Sequence, residues 1–295
     1  MPTVHLSDRA LIQVTGPDAE ALLQNVITPD LDALQPGAAK PGALLTPQGK
    51  ILFDFLISRH GADGLRIECR AETADELVGR LKLYKLRAKA DIKKENQNLV
   101  AVSWPDDSTP SQSDSSASES DSAAGLTDLR FPADAGVRRF YDAPPPASAG
   151  LEDWHRHRIA AGVAESGADY ALGDAFPHDV LLDQNDGIGF KKGCYVGQEV
   201  VSRMQHRGTA RRRILIAEAD GPLPEPGTPV TADGRAIGTL GSSVGPTGLA
   251  LVRIDKARDA MDAGTAILAG ETALHLRIPP GVRFGFPEDA TTGNG

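Results

Sequence analysis

Cys194 is the residue of this chain best placed to do chemistry, because it stands in the Gly-rich segment KKGCYVGQEVVSRMQHRG. Val200, Val201 and Met204 recur downstream at helical spacing, which predicts a helix that begins just after the cysteine. A helix N-terminus and neighbouring lysines both lower the pKa of a thiol. The pattern therefore predicts a reactive thiol. The alternative is a small buried apolar side chain in a Gly-rich turn.

Asp54 is the second candidate, since it is the one polar residue in the run ILFDFLI. Strand alternation places Phe53 and Phe55 on one face, and Asp54 with Leu56 on the other. A carboxylate in an apolar strand is costly unless it is paired or hydrogen-bonded. Two interpretations remain open: an Asp54 to Arg ion pair in the core, or a side chain that faces a ligand cavity.

Positive charge is concentrated in residues 191–213 of an otherwise acidic chain. This segment has seven Lys or Arg against one acid, a net of +6, which leaves −15 for the rest of a chain whose net charge is −9. Such an island predicts a specific anionic ligand: a polyglutamate tail, a phosphate or a short stretch of RNA backbone. The alternative is that Arg211, Arg212 and Arg213 form a solvated strand end.

The elements that must position these residues alternate between strands and helices. A strand over residues 10–15 is followed by a helix, for which Thr15 and Asp18 predict a capping box. Thr73 and Glu76 predict a second capping box for a helix that runs toward Leu86. Apolar residues at helical spacing support both helices, namely Ala19, Leu22, Leu23, Val26 and Ile27 in the first and Leu77, Leu81 and Tyr84 in the second.

Strand patterns supply the remaining elements. Residues 51–58 and 65–70 predict a hairpin whose second strand places Cys69 on the core face. From Arg211 onward the chain predicts short strands separated by Pro and Gly, with a type I′ hairpin turn at Asp233 and Gly234. The whole is typical of an α+β fold.

Composition limits the class of protein. A length of 295 residues is enough for about two domains, and a hydrophobic content of 40% is enough for a sizeable core. No run approaches the roughly 18 apolar residues that span a membrane, and the N-terminus has no signal-peptide or transit character. We therefore expect a cytoplasmic protein with no membrane contact. Two cysteines cannot alone supply the four ligands of a zinc or iron-sulfur site.

The motifs also carry a resemblance to a known family. The KGCYVGQE run, with the downstream HRG and the arginine cluster, resembles the signature of the YgfZ-type folate-binding proteins, relatives of the glycine-cleavage aminomethyltransferase. The run LYKLRAK is similar too. The resemblance implies an aminomethyltransferase-like folate-binding region with a small C-terminal β-barrel. The predicted divisions are residues 1–104 and 126–210 for the folate-binding region, 105–125 for a disordered Ser/Asp-rich loop and 211–295 for the barrel.

The resemblance also implies a cofactor and its residues. The cofactor is tetrahydrofolate, and Asp54 matches the aspartate that the aminomethyltransferases place against the pterin. Cys194 is the candidate catalytic residue. The candidate cofactor-binding residues are Asp54, Arg87, Lys192, Gly193, Tyr195, Gly197, Gln198, Glu199 and Arg203.

Three functions follow from these expectations. The favoured one is a folate-binding accessory protein of iron-sulfur cluster assembly or repair, without transferase turnover, which serves iron-sulfur enzymes including tRNA-modifying ones. Its expected partners are folate and iron-sulfur assembly proteins or client enzymes. The second is a folate-dependent aminomethyl or one-carbon transferase. The third is a weak tRNA contact through the basic segment, against which the 5% aromatic content argues.

Overall fold

The computed structural model describes residues 1–96, 99–105 and 125–287. The chain forms two compact units: unit 1 comprises Met1–Trp154 and Asn185–Ser202, and unit 2 comprises His155–Gln184 and Arg203–Gly295. Most of the loop predicted for residues 105–125 lies outside the described residues, so its disorder stays a prediction. The units divide the chain at points other than the predicted divisions.

The described residues form sixteen strands and five α-helices. The strands are β1 Thr3–His5, β2 Arg9–Thr15, β3 Ala38–Leu45, β4 Ile51–His60, β5 Gly64–Arg70, β6 Asp91–Lys94, β7 Ala101–Ser103, β8 Leu126–Asp128, β9 Arg138–Phe140, β10 Arg212–Glu218, β11 Pro229–Ala232, β12 Arg235–Val244, β13 Thr247–Arg253, β14 Ile267–Ala269, β15 Thr272–Ala273 and β16 His275–Arg277. The α-helices are α1 Ala19–Gln24, α2 Ala74–Lys85, α3 Leu151–Ala160, α4 Gln198–Arg207 and α5 Ile254–Asp262, and single 3-10 turns lie at Ala71–Thr73 and Ala133–Ala135.

Unit 1 is built on a sheet with strand order β1-β7-β9-β8-β3-β4-β5-β2-β6. The pair β3 and β8 is parallel, and the other neighbouring pairs of this sheet are antiparallel. Alternate residues of β2, β4 and β5 pack on α1 and α2 in one apolar core. Cys69 is part of this core, which confirms the prediction of a core thiol.

The opposite face of the same strands carries buried charge. Register places Leu11, Glu68 and Leu56 side by side on this face. Arg139, which has no exposed surface, donates to Glu68 over 3.1 Å and to Asp128 over 3.0 Å. A buried carboxylate and guanidinium are tolerated when each satisfies the other, so this face is a network of ion pairs.

Unit 2 contains a sheet with strand order β15-β14-β11-β12-β13-β10-β16 and its own apolar core. The turn between β11 and β12 is the predicted one, since Asp233 and Gly234 have φ of 49° and 68°, as a type I′ turn requires. This unit also contains α5, which the predicted strands did not include. Ile254, Ala257 and Ala260 form its buried stripe, and small apolar residues at helical spacing were the available signal.

Both predicted capping boxes are wrong. Neither Asp18 before α1 nor Thr73 before α2 makes a side-chain capping hydrogen bond. The Asp18 carboxylate instead accepts the backbone N–H of Lys89, 71 residues away. The Thr73 hydroxyl donates to the carbonyl of Arg70. Tertiary and turn contacts thus took the groups that local capping would use.

Among the described residues, no helix is long and apolar enough to cross a membrane.

Candidate functional site

Lys192 ties the loop that carries Cys194 to the segment between α1 and β3, within unit 1. Its Nζ donates to the backbone carbonyls of Ile27 and Pro29, each over 2.8 Å. Burial lowers the pKa of Lys192 to about 8. The same Nζ lies 5.2 Å from the ring centroid of Tyr195, a distance typical of a cation–π contact. Lys192 was predicted to bind the cofactor, and in the structure its ammonium group organises the loop.

Thr28 joins three segments beside this lysine. Its hydroxyl donates to the carbonyl of Gly187 over 2.7 Å and accepts the N–H of Ala43 over 2.9 Å. Its own carbonyl accepts the N–H of Gly189. Sequence reasoning missed Thr28. The available signal was a lone hydroxyl between Ile27 and Pro29, because a buried hydroxyl requires partners.

Gly197 fixes the other end of the loop against the hairpin of β3 and β4. Its φ is +78°, and a Cβ built there would lie 2.6 Å from the carbonyl oxygen of Thr46. A Cβ built at Gly49, in the turn of the same hairpin, would likewise lie against the side chain of Val200 in α4. The predicted close approach at Gly197 is therefore a contact with the protein itself. Gly193 is exposed, and a Cβ there would meet no described atom within 4 Å.

Cys194 is exposed at the outer part of this loop, and α4 begins four residues later at Gln198. This confirms the predicted helix and excludes the alternative of a buried structural cysteine. Cys69 is the opposite case, since burial raises the pKa of its thiol to about 12. An accessible sulfur can attack an electrophile or bind a metal ion, and a buried neutral thiol does neither.

Tyr195 lies beside the cysteine with only 7% of its surface exposed. Its hydroxyl has no hydrogen-bond partner among the described residues, and burial raises its pKa. A buried hydroxyl without a partner costs free energy, and a hydrogen-bond partner supplied on binding would recover that cost.

Asp54 is half-buried on β4, opposite Ala43 of β3. It belongs to the hairpin whose turn contacts Gly197. Folding thus brings the element that carries Asp54 to the loop that carries Cys194, although 140 residues separate them in the sequence. The choice between an ion pair and a ligand contact for Asp54 stays open.

The remaining predicted residues lie on other surfaces. Gln198 is half-buried, and Glu199 and Arg203 are exposed on α4. Arg87 is exposed in the turn that follows α2.

Two arginines of the basic segment are already paired and are not available to the predicted anionic ligand. Arg212 binds Asp174 and Asp179, and Arg213 is buried against Asp183. These arginines are neutralised by carboxylates in unit 2 rather than solvated or left for a ligand. Among the described residues, no group of three or more His, Cys, Asp or Glu could hold a metal ion.

Comparison with known proteins identifies the family. The family profile described as "CAF17, C-terminal beta-barrel domain" matches residues 211–284. The human iron-sulfur cluster assembly factor IBA57, named mitochondrial, is 31% identical over 93% of this chain and 83% of its own length. This chain belongs to the IBA57 family. The mouse IBA57 protein is also 31% identical, over 84% of this chain and 76% of its own, and the Chaetomium globosum homologue is 34% identical over 90% and 73%.

The comparison with solved structures shows the fold. The aminomethyltransferase T of the glycine cleavage system from Bartonella henselae superposes with a TM-score of 0.67 at 17% identity, covering 95% of this chain and 86% of that protein. The predicted aminomethyltransferase-like fold with a C-terminal β-barrel is confirmed. The resemblance to YgfZ-type proteins pointed to a related family, and the family to which this chain belongs is IBA57. The prediction of a cytoplasmic location is wrong, because these IBA57 relatives are named mitochondrial.

Proposed function

We propose that this member of the IBA57 family is an accessory factor of iron-sulfur cluster assembly that uses Cys194 as the thiol that handles the cluster. The observation that carries the proposal is the exposed Cys194 on a loop anchored at both sides, by Lys192 and by Gly197. Anchoring reduces the entropy lost when the sulfur is bound.

The chemistry proposed for Cys194 is ligand exchange without a change of oxidation state. The thiol releases its proton to solvent, the thiolate forms one Fe–S bond, and one donor ligand leaves the same iron. The cluster is cargo, and iron-sulfur assembly proteins or client enzymes supply its other ligands, since thiolates are the usual ligands of such clusters.

Tetrahydrofolate is the second part of the proposal. The residues present fit such a molecule: Asp54 is a half-buried carboxylate that can accept from pterin or amine N–H groups, and Tyr195 has a buried hydroxyl without a described partner. Bound folate would supply a one-carbon carrier beside the loop. The role of the protein is to hold it through these groups.

A complementation experiment tests the role of Cys194. In cells that lack the protein, Cys194→Ser should fold yet fail to restore iron-sulfur enzyme activity, because serine is a poor substitute for a thiolate ligand. Cys69→Ala is the matched control and should restore it. Full restoration by Cys194→Ser would refute the proposed role.

Calorimetry with tetrahydrofolate tests the second part separately. Wild type and Asp63→Ala, which removes an exposed carboxylate from the neighbouring turn, should bind alike. Asp54→Ala and Tyr195→Phe should bind at least about tenfold more weakly, as expected when a buried polar contact is lost. A folded wild type without saturable binding would refute folate binding and leave the role of Cys194 intact.

The other functions have less support. The likeness to the aminomethyltransferase, at 17% identity, carries the fold and no transferase activity. A direct tRNA contact gains nothing from Arg212 and Arg213, which already bind carboxylates. Service to tRNA-modifying iron-sulfur enzymes would follow from the assembly role and be tested by the same complementation.

A further inference from the structure

The solvent face of α2 carries an apolar stripe that is separate from its core stripe. Leu77 and Leu81 are buried against the sheet. Gly79 and Leu83 lie on the exposed side, and Leu86 follows at the helix end, a spacing of four and then three residues. Leu83 is 67% exposed and Leu86 is 88% exposed. These residues therefore form an apolar stripe, along one side of α2 and at its C-terminal end, that is largely open to solvent.

Gly79 is not required by the fold of the free protein. A Cβ built there would meet no described atom within 4 Å, and its φ is not positive. A glycine inside an exposed helix weakens the helix relative to alanine. What a glycine does provide is a notch through which another backbone can approach closely.

Leu86 occupies a backbone conformation that favours glycine. The N–H of Ala88 bonds to the carbonyl of Lys85 over 2.7 Å, which closes a turn with Leu86 at its first central position. Its φ of 44° and ψ of −106° are close to those of a type II′ turn, where glycine predominates. A large apolar side chain is thus held in a strained conformation and directed to solvent. Strain of this kind is concentrated at functional sites.

The stripe is bordered by positive charge. Lys82, Arg87 and Lys89 are exposed beside it, and Lys85 is half-buried. Of the acids nearby, Asp91 pairs with Lys93 and Asp75 pairs with Lys94, while Glu76 is exposed one turn before Gly79 and leaves the basic border to the Leu83 and Leu86 end. The surface therefore combines two exposed leucines, a notch and a basic border within a chain whose net charge is −9.

We propose that Gly79, Leu83 and Leu86, with their basic border, form a docking surface for an acidic amphipathic helix of a partner protein. The leucines fill apolar positions of that helix, the notch at Gly79 admits its backbone, and the lysines pair with its carboxylates. Two leucines are too small an apolar area to hold an anionic membrane against the net negative charge of the chain. Leucines also offer no stacking platform for RNA bases. This inference is independent of the proposed role of Cys194 and of folate.

A peptide-binding experiment on the full chain tests the proposal. The probe is a labelled helical peptide of roughly 21 residues with the heptad ALEELEA, and the control peptide has lysine in place of glutamate. The acidic peptide should bind, more weakly at high salt, and the basic peptide should not. Leu83→Gln, Leu86→Gly and Gly79→Leu should each weaken binding at least about tenfold. Leu151→Gln, at an exposed leucine of α3, is the matched control and should bind like wild type.

Thermal unfolding separates docking from folding. Leu86→Gly removes backbone strain and Gly79→Leu adds a better helix former, so neither should lower Tm. Several results would overturn the proposal: no binding at about 1 mM peptide, equal binding of both peptides, or variants that bind like wild type. Binding to vesicles with anionic lipid that the same variants abolish would assign the surface to a membrane. Peptide binding only after deletion of residues 108–123 would assign it to the acidic segment of this chain.

Discussion

At the scale of single residues, the two cysteines differ because their surroundings differ. Cys194 is exposed on its loop, whereas Cys69 lies in the core between a sheet and two helices. Desolvation, with a contribution from the nearby carboxylates of Glu68 and Asp54, raises the pKa of Cys69 to about 12. We therefore expect the same thiol group to react differently in these two environments.

We expect iodoacetamide to label Cys194 much faster than Cys69 in the folded protein. At pH 8 a thiol with a pKa near 12 is ionised in about one molecule in ten thousand, and burial blocks the reagent as well. Mass-resolved labelling across pH measures both rates, and unfolded protein is the control in which the rates should converge. Equal native rates would contradict the burial of Cys69.

The dependence of stability on pH tests whether the Lys192 side chain is buried in its loop, because burial changes its pKa. Burial lowers its folded pKa to about 8 from the ordinary 10.5, so between these values the unfolded chain binds more protons. Stability rises with pH wherever the unfolded state binds more protons. The free energy of unfolding of wild type relative to Lys192→Met should therefore grow from pH 8 to 10.5. A difference that does not change over this window would mean that the two carbonyl acceptors keep the pKa at its ordinary value.

At the scale of elements, the loop before α4 and the hairpin of β3 and β4 fix each other. The contact is made by backbone atoms, because Gly197 approaches the carbonyl of Thr46 and Gly49 approaches Val200. No side chain of the loop can replace such a contact. The position of Cys194 therefore depends on Gly197, the residue immediately before α4.

Two glycines of the same loop make a matched pair of variants. Gly197→Ala should lower the free energy of unfolding by about 2 to 5 kcal/mol, because a positive φ costs about 1 to 2 kcal/mol and overpacking costs about 1 to 3 kcal/mol. Gly193→Ala should change it by less than about 0.5 kcal/mol, as at open surface sites. Urea unfolding measures both. Similar losses for the two variants would contradict the assigned contact.

At the scale of the whole molecule, each unit has its own core and contains an arginine with no exposed surface. Arg139 in unit 1 pairs with Glu68 and Asp128. Arg158 in unit 2 pairs with Asp169 and donates to Ser242. Removing one partner of a buried pair leaves charge without compensation, which destabilises more than the pair itself stabilises.

Arg139→Met should therefore destabilise the protein by about 3 to 5 kcal/mol at neutral pH. Arg253→Met, which removes an exposed pair with Asp255, should cost less than about 1 kcal/mol. Burial raises the pKa of Asp128, but Arg130 and Arg139 outweigh it and lower the pKa to about 2 from the ordinary 3.8. The stabilisation from these ion pairs is therefore complete above about pH 4 and is lost as pH falls through 2. Denaturant unfolding at several pH values measures it, and equal costs for both variants would contradict the buried network.

Local sequence pattern was enough to predict the features that depend only on residues close together along the chain. The helix behind Cys194, the hairpin with Asp54, the core position of Cys69 and the turn at Asp233 follow from spacing of 3.6 or 2 residues and from turn chemistry. The motif around Cys194 also indicated a relative of the family shown. These features are properties of short segments, so the sequence itself determined them.

Tertiary structure decided the partners. Lys192 bonds to Ile27 across 165 residues, and Arg139 bonds to Glu68 across 71. No local pattern contains such pairs, which is why the basic segment was interpreted as a ligand site although Arg212 and Arg213 bind carboxylates of the same chain. Capping boxes failed for the same reason, since a distant N–H competed for Asp18. Hydrogen bonds and ion pairs are made with whatever group folding brings near, and only the three-dimensional arrangement determines which group that is.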